Sequence, residues 1–393
     1  MERMYDAIVV GARCAGSPTA MLLARKGYRV LLVDRATFPS DTVSSHIVQP
    51  LGVAALARWG LLERLIKTGC PPMRSYNFDF GPVTITGAPG TQDSPVAYCP
   101  RRTILDKLLV DAAAEAGAEI REGFTVKEIV IKAGRVVGIK GVSKSGQLAE
   151  EHAKIVIGAD GLHSMLAEAV RPEKYNHKDP LNAGYYSYWS GLPVGEQFRI
   201  HIRPGRAYAA APTHDGLTLI IGGWPIAEFQ SNKDDVEGNF MKMIDLVPEF
   251  AERVHRAKRE TRFAGIPLPN HFAKPYGPGW ALVGDAGYIK DAITAQGITD
   301  AFLNAERLAS ALDGVFTETR SFDEAMNGYQ QARDAHALPI FEMTCQLAML
   351  APPPPEMQQL IASIRGNQDA MDRFAQMNAG TITPAEFMAS VSA

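Results

Sequence analysis

The first forty residues carry the pattern that most restricts the fold. Residues 5–10 read YDAIVV, a short apolar run rich in β-branched side chains, which is typical of a strand buried on both faces. A turn with two glycines follows, and then SPTAMLLARKG, whose apolar spacing predicts a helix that ends at Gly27. The next run, YRVLLVDR, predicts a second buried strand. Together these segments predict a βαβ unit.

The turn of this unit reads GARCAG and spans residues 11–16. In the usual GxGxxG pattern the first glycine permits the tight turn and the last lets the helix pack against the strand. The helix N-terminus then offers free N–H groups to a pyrophosphate. Arg13 replaces the middle glycine, and we expect its charge to lie on the pyrophosphate. Asp34 ends the next strand, close to where a ribose-binding carboxylate is expected. The candidate dinucleotide-binding residues here are Gly11, Arg13, Cys14, Ala15, Gly16, Asp34 and Arg35. Taken alone, the motif also fits an ordinary strand–helix turn.

Two further glycine motifs follow predicted buried strands. One is GADGLHS at 158–164, and the other is GDAGYIKDAITAQGITDAF at 284–302. Asp285 would stand at a strand end, where its carboxylate can accept a hydrogen bond from a polyol. The residues from 295 to 299 open a helix whose N–H groups can face a polarised carbonyl or a developing anion. Each motif alone fits a surface turn, but the three in this order predict one cofactor site.

Composition excludes several other classes of protein. The 393 residues carry a net charge of −3, which gives no electrostatic case for a nucleic-acid partner. The four cysteines (Cys14, Cys70, Cys99 and Cys345) form no CxxC pair, which argues against a zinc site or a disulfide framework and fits a reducing compartment. The N-terminus enters a strand within five residues, and no run approaches the apolar length of a membrane span. We therefore expect a cytoplasmic protein with no metal site and no membrane span.

The three motifs resemble those of the p-hydroxybenzoate hydroxylase-type flavoproteins, the group A FAD monooxygenases, whose superfamily also holds geranylgeranyl reductases and flavin halogenases. The resemblance covers roughly residues 1–320. It implies that FAD binds with its pyrophosphate on the first motif, and that Asp160 and Gly161 serve both FAD and NAD(P)H. It further implies that Gly284 and Asp285 hold the ribityl chain.

The same resemblance implies contacts at the flavin ring and at the second cofactor. Backbone N–H groups of Gly297, Ile298 and Thr299 would lie on the flavin N1–C2=O edge. His163 would lie near the pyrophosphate of the nicotinamide cofactor. Either Arg101 or Arg102, at the start of the helix RRTILDKLL, would contact FAD.

The predicted fold class is mixed α/β: a Rossmann-like FAD-binding domain, an inserted antiparallel β-sheet substrate domain and a helical C-terminal tail. The predicted FAD-binding domain is discontinuous and comprises 1–75, 98–180 and 265–320. The predicted substrate domain comprises 76–97 and 181–264. The predicted helical tail is 321–393.

The resemblance implies that NADH or NADPH reduces FAD, and that O2 then forms a C4a-hydroperoxyflavin, which hydroxylates a small aromatic or polyketide-type molecule. Such an NAD(P)H-dependent monooxygenase would be of the EC 1.14.13 kind. One alternative is an FAD-dependent alkene reductase like the geranylgeranyl reductases, whose YxWxFP motif is partly matched at 188–193. Another alternative is a flavin-binding protein without turnover. The third motif departs from the family pattern GDAAHxxxP, with Tyr288 in place of histidine and Asp291-Ala292 in place of the prolines.

Candidate substrate residues come from the aromatic strands of the predicted sheet. Side chains alternate along a strand, so Tyr186 and Tyr188 share one face while Tyr185 and Trp189 take the other. The alternation does not say which face lines the pocket. The candidate pocket residues are Tyr186, Tyr188 and Trp224. The candidates for a general base are His201, His214 and Asp291, although a histidine paired within the sheet explains His201 better than a catalytic role does.

Overall fold

The structure is a computed structural model and describes residues 4–391. Its strands run as follows: β1 Tyr5–Val10, β2 Val30–Val33, β3 Pro72–Met73, β4 Ser75–Asp79, β5 Thr84–Gly87, β6 Ala97–Tyr98, β7 Glu119–Arg121, β8 Phe124–Lys132, β9 Arg135–Ser143, β10 Leu148–Gly158, β11 Lys174–Lys178, β12 Asn182–Ser190, β13 Gln197–Arg203, β14 Arg206–Pro212, β15 Thr218–Pro225, β16 Lys258–Arg259, β17 Asn270–Ala273, β18 Tyr276–Gly277, β19 Trp280–Leu282 and β20 Tyr288–Ile289.

The α-helices alternate with these strands in the first half of the chain and dominate its end. They are α1 Gly16–Arg25, α2 Pro50–Arg58, α3 Leu62–Ile66, α4 Arg102–Glu115, α5 Met165–Val170, α6 Phe229–Asn232, α7 Val236–Ile244, α8 Pro248–Arg256, α9 Gly297–Phe316, α10 Phe322–Ala348, α11 Pro355–Ile364, α12 Gln368–Asn378 and α13 Pro384–Val391. Within residues 4–391, none of them is long and apolar enough to cross a membrane.

The first sheet is largely parallel, and its strands lie in the order β18-β19-β10-β1-β2-β7. Helices α1, α4 and α9 pack together over one face, where Val9 and Leu32 meet Leu23, Leu109 and Phe302. The opposite face is covered by the antiparallel strands β8 and β9, with Phe124 among the buried side chains. Burial on both faces explains why β1 and β2 are almost wholly apolar.

Strand β10 serves two sheets at once. Its first residues, 148–152, pair antiparallel with β9, and its last residues pair parallel with β1. The alternating pattern of residues 119–160 predicts an antiparallel meander followed by a buried strand, KIVIGAD. In the structure the last strand of the meander and this buried strand are one continuous strand. The meander is therefore attached through the first residues of β10, away from the edge of the sheet where β10 ends.

The second sheet contains the predicted substrate strands in the order β16-β12-β15-β14-β13-β4-β5. Its pairings are antiparallel except that β4 runs parallel to β13. The expectation of a wholly antiparallel sheet is therefore wrong at this pairing. The reason is that β4 comes from an earlier segment of the chain, so no hairpin fixes its direction.

Helices cover both faces of this second sheet. One face packs against α7 and α8 through residues such as Phe240 and Phe250. The other face meets the C-terminal helices through Phe374 and Phe387, and meets the first half of the molecule through Ile47. This mixed α/β architecture confirms the predicted fold class, while the residue boundaries assigned to its domains remain predictions.

Candidate flavin site

The three glycine motifs meet at one edge of the parallel sheet. Strands β19, β10 and β1 are neighbours, and their last residues are in register, with Gly158 opposite both Val10 and Leu282. Parallel strands end at the same edge of a sheet, so the turns that begin at 11, 159 and 284 lie side by side. The sheet thus brings together motifs that begin at residues 11, 158 and 284 of the chain.

Close packing explains the glycines of the first motif. Gly11 has a φ of +101°, and a Cβ there would lie 2.5 Å from the carbonyl oxygen of Ala159. A Cβ on Gly16 would lie 1.7 Å from the carbonyl oxygen of Gly11. The third motif packs against the same turn, since a Cβ on Gly284 would lie 2.7 Å from that of Ala15. Side chains at Gly11 or Gly16 would force the strand ends and α1 apart.

Arg13 and Cys14 are both held by Asp106 of α4. The Arg13 guanidinium donates to Asp106 Oδ2 at 2.6 Å and to Ser40 Oγ at 2.7 Å. The Cys14 thiol lies 3.3 Å from Asp106 Oδ1. Arg102 donates to both oxygens of the same carboxylate, which is fully buried. Arg13 therefore ties the glycine turn to α4, and its contact with a pyrophosphate stays a prediction.

Asp34 lies at the end of β2, as the βα pattern requires. Its carboxylate accepts hydrogen bonds from the backbone N–H groups of Ala12 and Ala36, each at 2.7 Å. These bonds place the carboxylate beside the glycine turn. Arg35 follows in the exposed loop, and its role toward a cofactor remains a prediction.

The second motif contains an acid with one unpaired oxygen. Asp160 Oδ2 accepts from the N–H of Met165 at 2.8 Å, whereas the buried Oδ1 has no partner among the described residues. Burial raises the pKa of this carboxyl group. Gly161 has a φ of +77° and open space where a side chain would stand. His163 is exposed just beyond it.

The third motif contains a carboxylate in a recess. The Asp285 side chain is accessible to solvent, yet the surrounding protein raises its pKa to about 6, against the opposing charges of Lys290 and Arg102. Lys290 itself is buried and pairs with Asp300 in the first turn of α9. A carboxylate that solvent reaches but protein largely surrounds suits an uncharged ligand hydroxyl group, which can take the place of water there.

Helix α9 begins beside this recess without a capping side chain. Its first N–H groups, those of Gly297, Ile298 and Thr299, have no acceptor inside the helix. Gly297 is exposed and has open space around it. Helix α1 also starts without a side-chain cap. Two such helix ends at one sheet edge provide donors for anionic or carbonyl oxygens.

These features fit FAD. The start of α1 and the first glycine turn would hold its pyrophosphate, and Asp285 would hold its ribityl hydroxyls. The start of α9 would donate to the flavin ring. The unpaired oxygen of Asp160 would gain a partner from the cofactor or from a water held by it.

Gln49 joins this site to the substrate sheet, and no motif in the sequence singles it out. Its backbone N–H donates to Thr299 Oγ1 at 3.0 Å, and its side-chain amide donates to the carbonyl of Thr294 at 3.3 Å. The Tyr76 hydroxyl on β4 donates to Gln49 Oε1 at 2.5 Å. All these groups are buried. One glutamine therefore fixes the start of α9 relative to the second sheet.

His46, on the same loop, is a second residue that sequence analysis misses. It is fully buried, and its Nε2 atom lies 2.8 Å from the Tyr188 hydroxyl oxygen. The rings of Tyr186 and Tyr188 meet its imidazole edge to face, at 4.8 and 5.6 Å between centroids. Tyr186 and Tyr188 thus face the part of the molecule that contains the parallel sheet and the glycine motifs, called here the flavin half.

Two of the sequence-derived candidates need correction because they lie on the opposite face of the sheet. Trp224 is fully buried and stacks on Tyr185 with ring centroids 5.3 Å apart, among the side chains of α7 and α8. His201 pairs with Asp79 at 2.9 Å and packs on Tyr208 and Phe250. Strand alternation sends both side chains away from the flavin site.

His214 has a structural role near Arg101. Its Nδ1 accepts from the backbone N–H of Arg101 at 3.2 Å, and its Nε2 lies 2.8 Å from Thr68 Oγ1. Both ring nitrogens are therefore engaged. Arg101 extends from this point so that its guanidinium lies 5.5 Å from the ring centroid of Tyr188. These contacts leave His214 no free nitrogen for a substrate.

Asp291 lies at the turn before α9. Its Oδ1 accepts from the side chain of Asn182 and from the N–H of Ile293, each at 2.9 Å. Its own N–H donates to Asn270 at 2.7 Å. Burial raises the pKa of Asp291 to about 6. Asp291 thus connects the first residue of β12 to the turn before α9. A role as a general base remains a prediction.

Comparison with known families agrees with this geometry. Residues 4–223 match the family described as FAD binding domain. The chain belongs to this family. The expected superfamily is confirmed, and FAD binding and membership of the FAD-dependent oxidoreductases follow from it.

Several known proteins are similar to this chain. Protein FixC of Salmonella typhimurium is 32% identical over 228 residues, which cover 55% of this chain and 51% of FixC. The chain thus spans about half the length of the curated relatives that match it first. Digeranylgeranylglycerophospholipid reductase 1 of Methanopyrus kandleri is 25% identical over 369 residues, or 88% of this chain and 91% of that protein. The myxobacterial chondrochloren halogenase CndH has the same fold, with a TM-score of 0.81 at 21% identity over 96% of this chain and 99% of the halogenase.

Proposed function

We propose that this protein is a single-component FAD-dependent monooxygenase that hydroxylates a small aromatic or polyketide-type molecule. In the overall reaction a C–H bond becomes C–OH with one oxygen atom of O2. The other atom leaves as water, with a hydride (two electrons and one proton) from NADH or NADPH and a second proton from solvent. The bound FAD supplies the redox and oxygen chemistry.

One observation carries the proposal: Gln49 joins the hydroxyl-bearing aromatic face of the second sheet to the start of α9. Tyr186 and Tyr188 lie on that face, and Gln49 fixes its distance from the helix. Aromatic side chains pack well against an aromatic ring, and their hydroxyl groups can orient its polar substituents.

The chain's own residues would have three tasks in this reaction. Asp285 and the helix starts hold the cofactor in place. The donors of α9 stabilise negative charge on the flavin's carbonyl edge. The C-terminal helices pack on the same sheet face, through Phe374 and Phe387, and exclude water from it.

A second candidate function is the reduction of an alkene. It is supported by the identity of 25% with digeranylgeranylglycerophospholipid reductase 1 along 88% of the chain. A long prenyl chain would need a wholly apolar channel, whereas the otherwise apolar sheet face beside α9 carries the hydroxyl groups of three tyrosines. This contrast favours the monooxygenase.

Purified holoprotein can be tested with NADH and with NADPH, alone and with a panel of phenols, while oxygen uptake and products are followed. We expect slow oxidation alone, faster oxidation with one class of phenol, and a product that is heavier by one oxygen atom. Anaerobic saturation of a prenyl alkene would favour the reductase instead. If neither NADH nor NADPH reduces the flavin, the result would contradict the monooxygenase and favour a flavin-binding protein without turnover.

A further inference from the structure

His46 lies between the flavin site and the aromatic face of the second sheet. Its backbone φ is +64°, a left-handed conformation that few residues other than Gly, Asn, Asp and His adopt. Backbone conformations of this kind persist only where the surroundings enforce them, and they are concentrated at ligand sites.

One nitrogen of this histidine is paired and the other is not. Nε2 lies 2.8 Å from the Tyr188 hydroxyl oxygen, whereas the buried Nδ1 has no hydrogen-bond partner among the described residues. Folded proteins leave few buried polar atoms unpaired, and those that remain need an explanation. Here the loop that carries His46 also carries Gln49, which contacts the start of α9. A ligand in the flavin site is therefore a candidate partner for Nδ1.

The electrostatic surroundings keep the imidazole neutral. Burial lowers the pKa of His46 to about 3; the positive charges of Arg102 and Arg101 act in the same direction, and the backbone of Ser44 opposes them only in part. Burial also raises the pKa of Tyr188. The pair can therefore exchange hydrogen-bond directions but does not carry a charge. It suits recognition of a neutral oxygen better than general-base catalysis.

We propose that His46 Nδ1 forms a hydrogen bond with a ring-bound oxygen, a carbonyl or a hydroxyl group, of the molecule that binds in this site, and that Tyr188 positions the imidazole for it. Where the oxygen belongs to the substrate, the proposal rests on the function proposed above and names its substrate class: oxygen-bearing aromatic molecules. Where the oxygen belongs to the flavin ring, the proposal needs only FAD binding.

The neutral pair can serve both kinds of oxygen. For a carbonyl, Nδ1 carries the hydrogen and donates it, while Nε2 accepts from the Tyr188 hydroxyl. For a hydroxyl, Nδ1 accepts, and Nε2–H donates to the Tyr188 oxygen. Because Nδ1 is enclosed by protein, contact with a ligand oxygen requires the loop around His46 to move.

The test compares three variants of the holoprotein with the parent chain, without NAD(P)H or turnover. His46→Asn removes the imidazole but tolerates the positive φ. Tyr188→Phe removes only the hydroxyl group. Tyr185→Phe is the matched control, because it removes a hydroxyl group from the same strand on the opposite face. Each is freed of FAD and titrated with FAD, and the reconstituted holoprotein is then titrated with 1-naphthol and with naphthalene while the flavin absorption spectrum is recorded.

The two sources of the oxygen give different results. If it belongs to flavin, His46→Asn weakens FAD binding about five- to ten-fold, the contribution of one hydrogen bond, and shifts the flavin absorption bands before any aromatic is added. If it belongs to the substrate, FAD binding and spectrum are unchanged. In that case 1-naphthol binding weakens about five- to ten-fold while naphthalene binding does not. Tyr188→Phe should produce the same pattern with a smaller amplitude, and Tyr185→Phe should match the parent.

The proposal is overturned if His46→Asn and Tyr188→Phe both bind FAD, 1-naphthol and naphthalene as the parent does. If His46→Asn fails to fold, Tyr188→Phe decides the matter, since its ring still fills the same space. These binding measurements involve no turnover. A failure to hydroxylate any phenol would therefore contradict the proposed function without affecting the flavin arm of this test.

Discussion

The two faces of the second sheet are built from alternate residues of the same strands and have different roles. On one face, Tyr76 and Tyr188 make hydrogen bonds to the flavin half through Gln49 and His46. On the other face, Tyr185 and Trp224 stack against each other under α7 and α8. The buried Trp224 Nε1 atom has no partner in the described part of the chain. Both faces are therefore packed with apolar side chains, but only the first also carries hydrogen bonds to Gln49 and His46.

The comparison predicts that the largest loss of stability comes from the face under α7 and α8. Trp224→Ala should lower the free energy of unfolding by about 3–5 kcal/mol, because a large fully buried ring is removed. FAD binding by the folded protein should stay the same. Chemical denaturation and FAD titration would measure the two effects. A large loss of FAD affinity in folded Trp224→Ala would mean that the faces are not separate.

In the turn before α9, beside the candidate flavin site, Asp291 should make the free energy of unfolding depend on pH. Its pKa in the folded protein, about 6, lies above the ordinary value of 3.8. The folded state therefore binds the proton more tightly, and stability falls as the pH rises from about 4 to above 6. Asp291→Asn keeps an acceptor for Asn182 but removes the buried charge.

The expected result is that Asp291→Asn is more stable than the parent by about 1–3 kcal/mol at pH 8. Near pH 4 the two proteins should differ little. Denaturation curves at pH 4, 6 and 8 would check this. A constant difference across that range would show that the carboxylate is not the cause.

A smaller loss of stability is expected from Tyr76, which joins one face of the sheet to the candidate flavin site through Gln49. Tyr76→Phe should cost about 1–2 kcal/mol of stability, because Gln49 Oε1 is left buried without its donor. FAD binding should weaken by a few-fold, since Gln49 also holds Thr294 and Thr299 at the start of α9. Phe78→Leu on the same strand is a control for packing alone. If the two variants bind FAD equally well, the connection through Gln49 does not order α9.

The smallest effect is expected from His201, on the face under α7 and α8. His201→Phe keeps the ring that packs on Tyr208 and Phe250. Asp79 retains its bond from Arg203 at 2.9 Å. Stability should change by no more than about 1 kcal/mol, and kcat and KM by no more than about two-fold. A loss of kcat that varies with pH would instead restore His201 as a candidate base.

Much of the flavin site could be read from local sequence. Gly11 and Gly16 are needed because backbone atoms approach where a Cβ would stand, and such positions leave a visible spacing in the chain. Asp285 also has a local signal, since it directly follows a buried strand and a glycine. By contrast, His46, Gln49 and Asp106 have partners between 92 and 250 residues away. No local pattern marks those residues.

The sequence by itself determined the βαβ unit, the three glycine turns and the separation of Tyr186 and Tyr188 from Tyr185 and Trp189, because each follows from the period of a strand or the geometry of a turn. It could not determine which aromatic set faces the glycine motifs, and Trp224 lies on the opposite face from the one expected. Only the tertiary structure decided that question. The direction of a whole sheet face depends on how α7, α8 and the loop around His46 pack against it, and those contacts join segments that lie far apart in the chain.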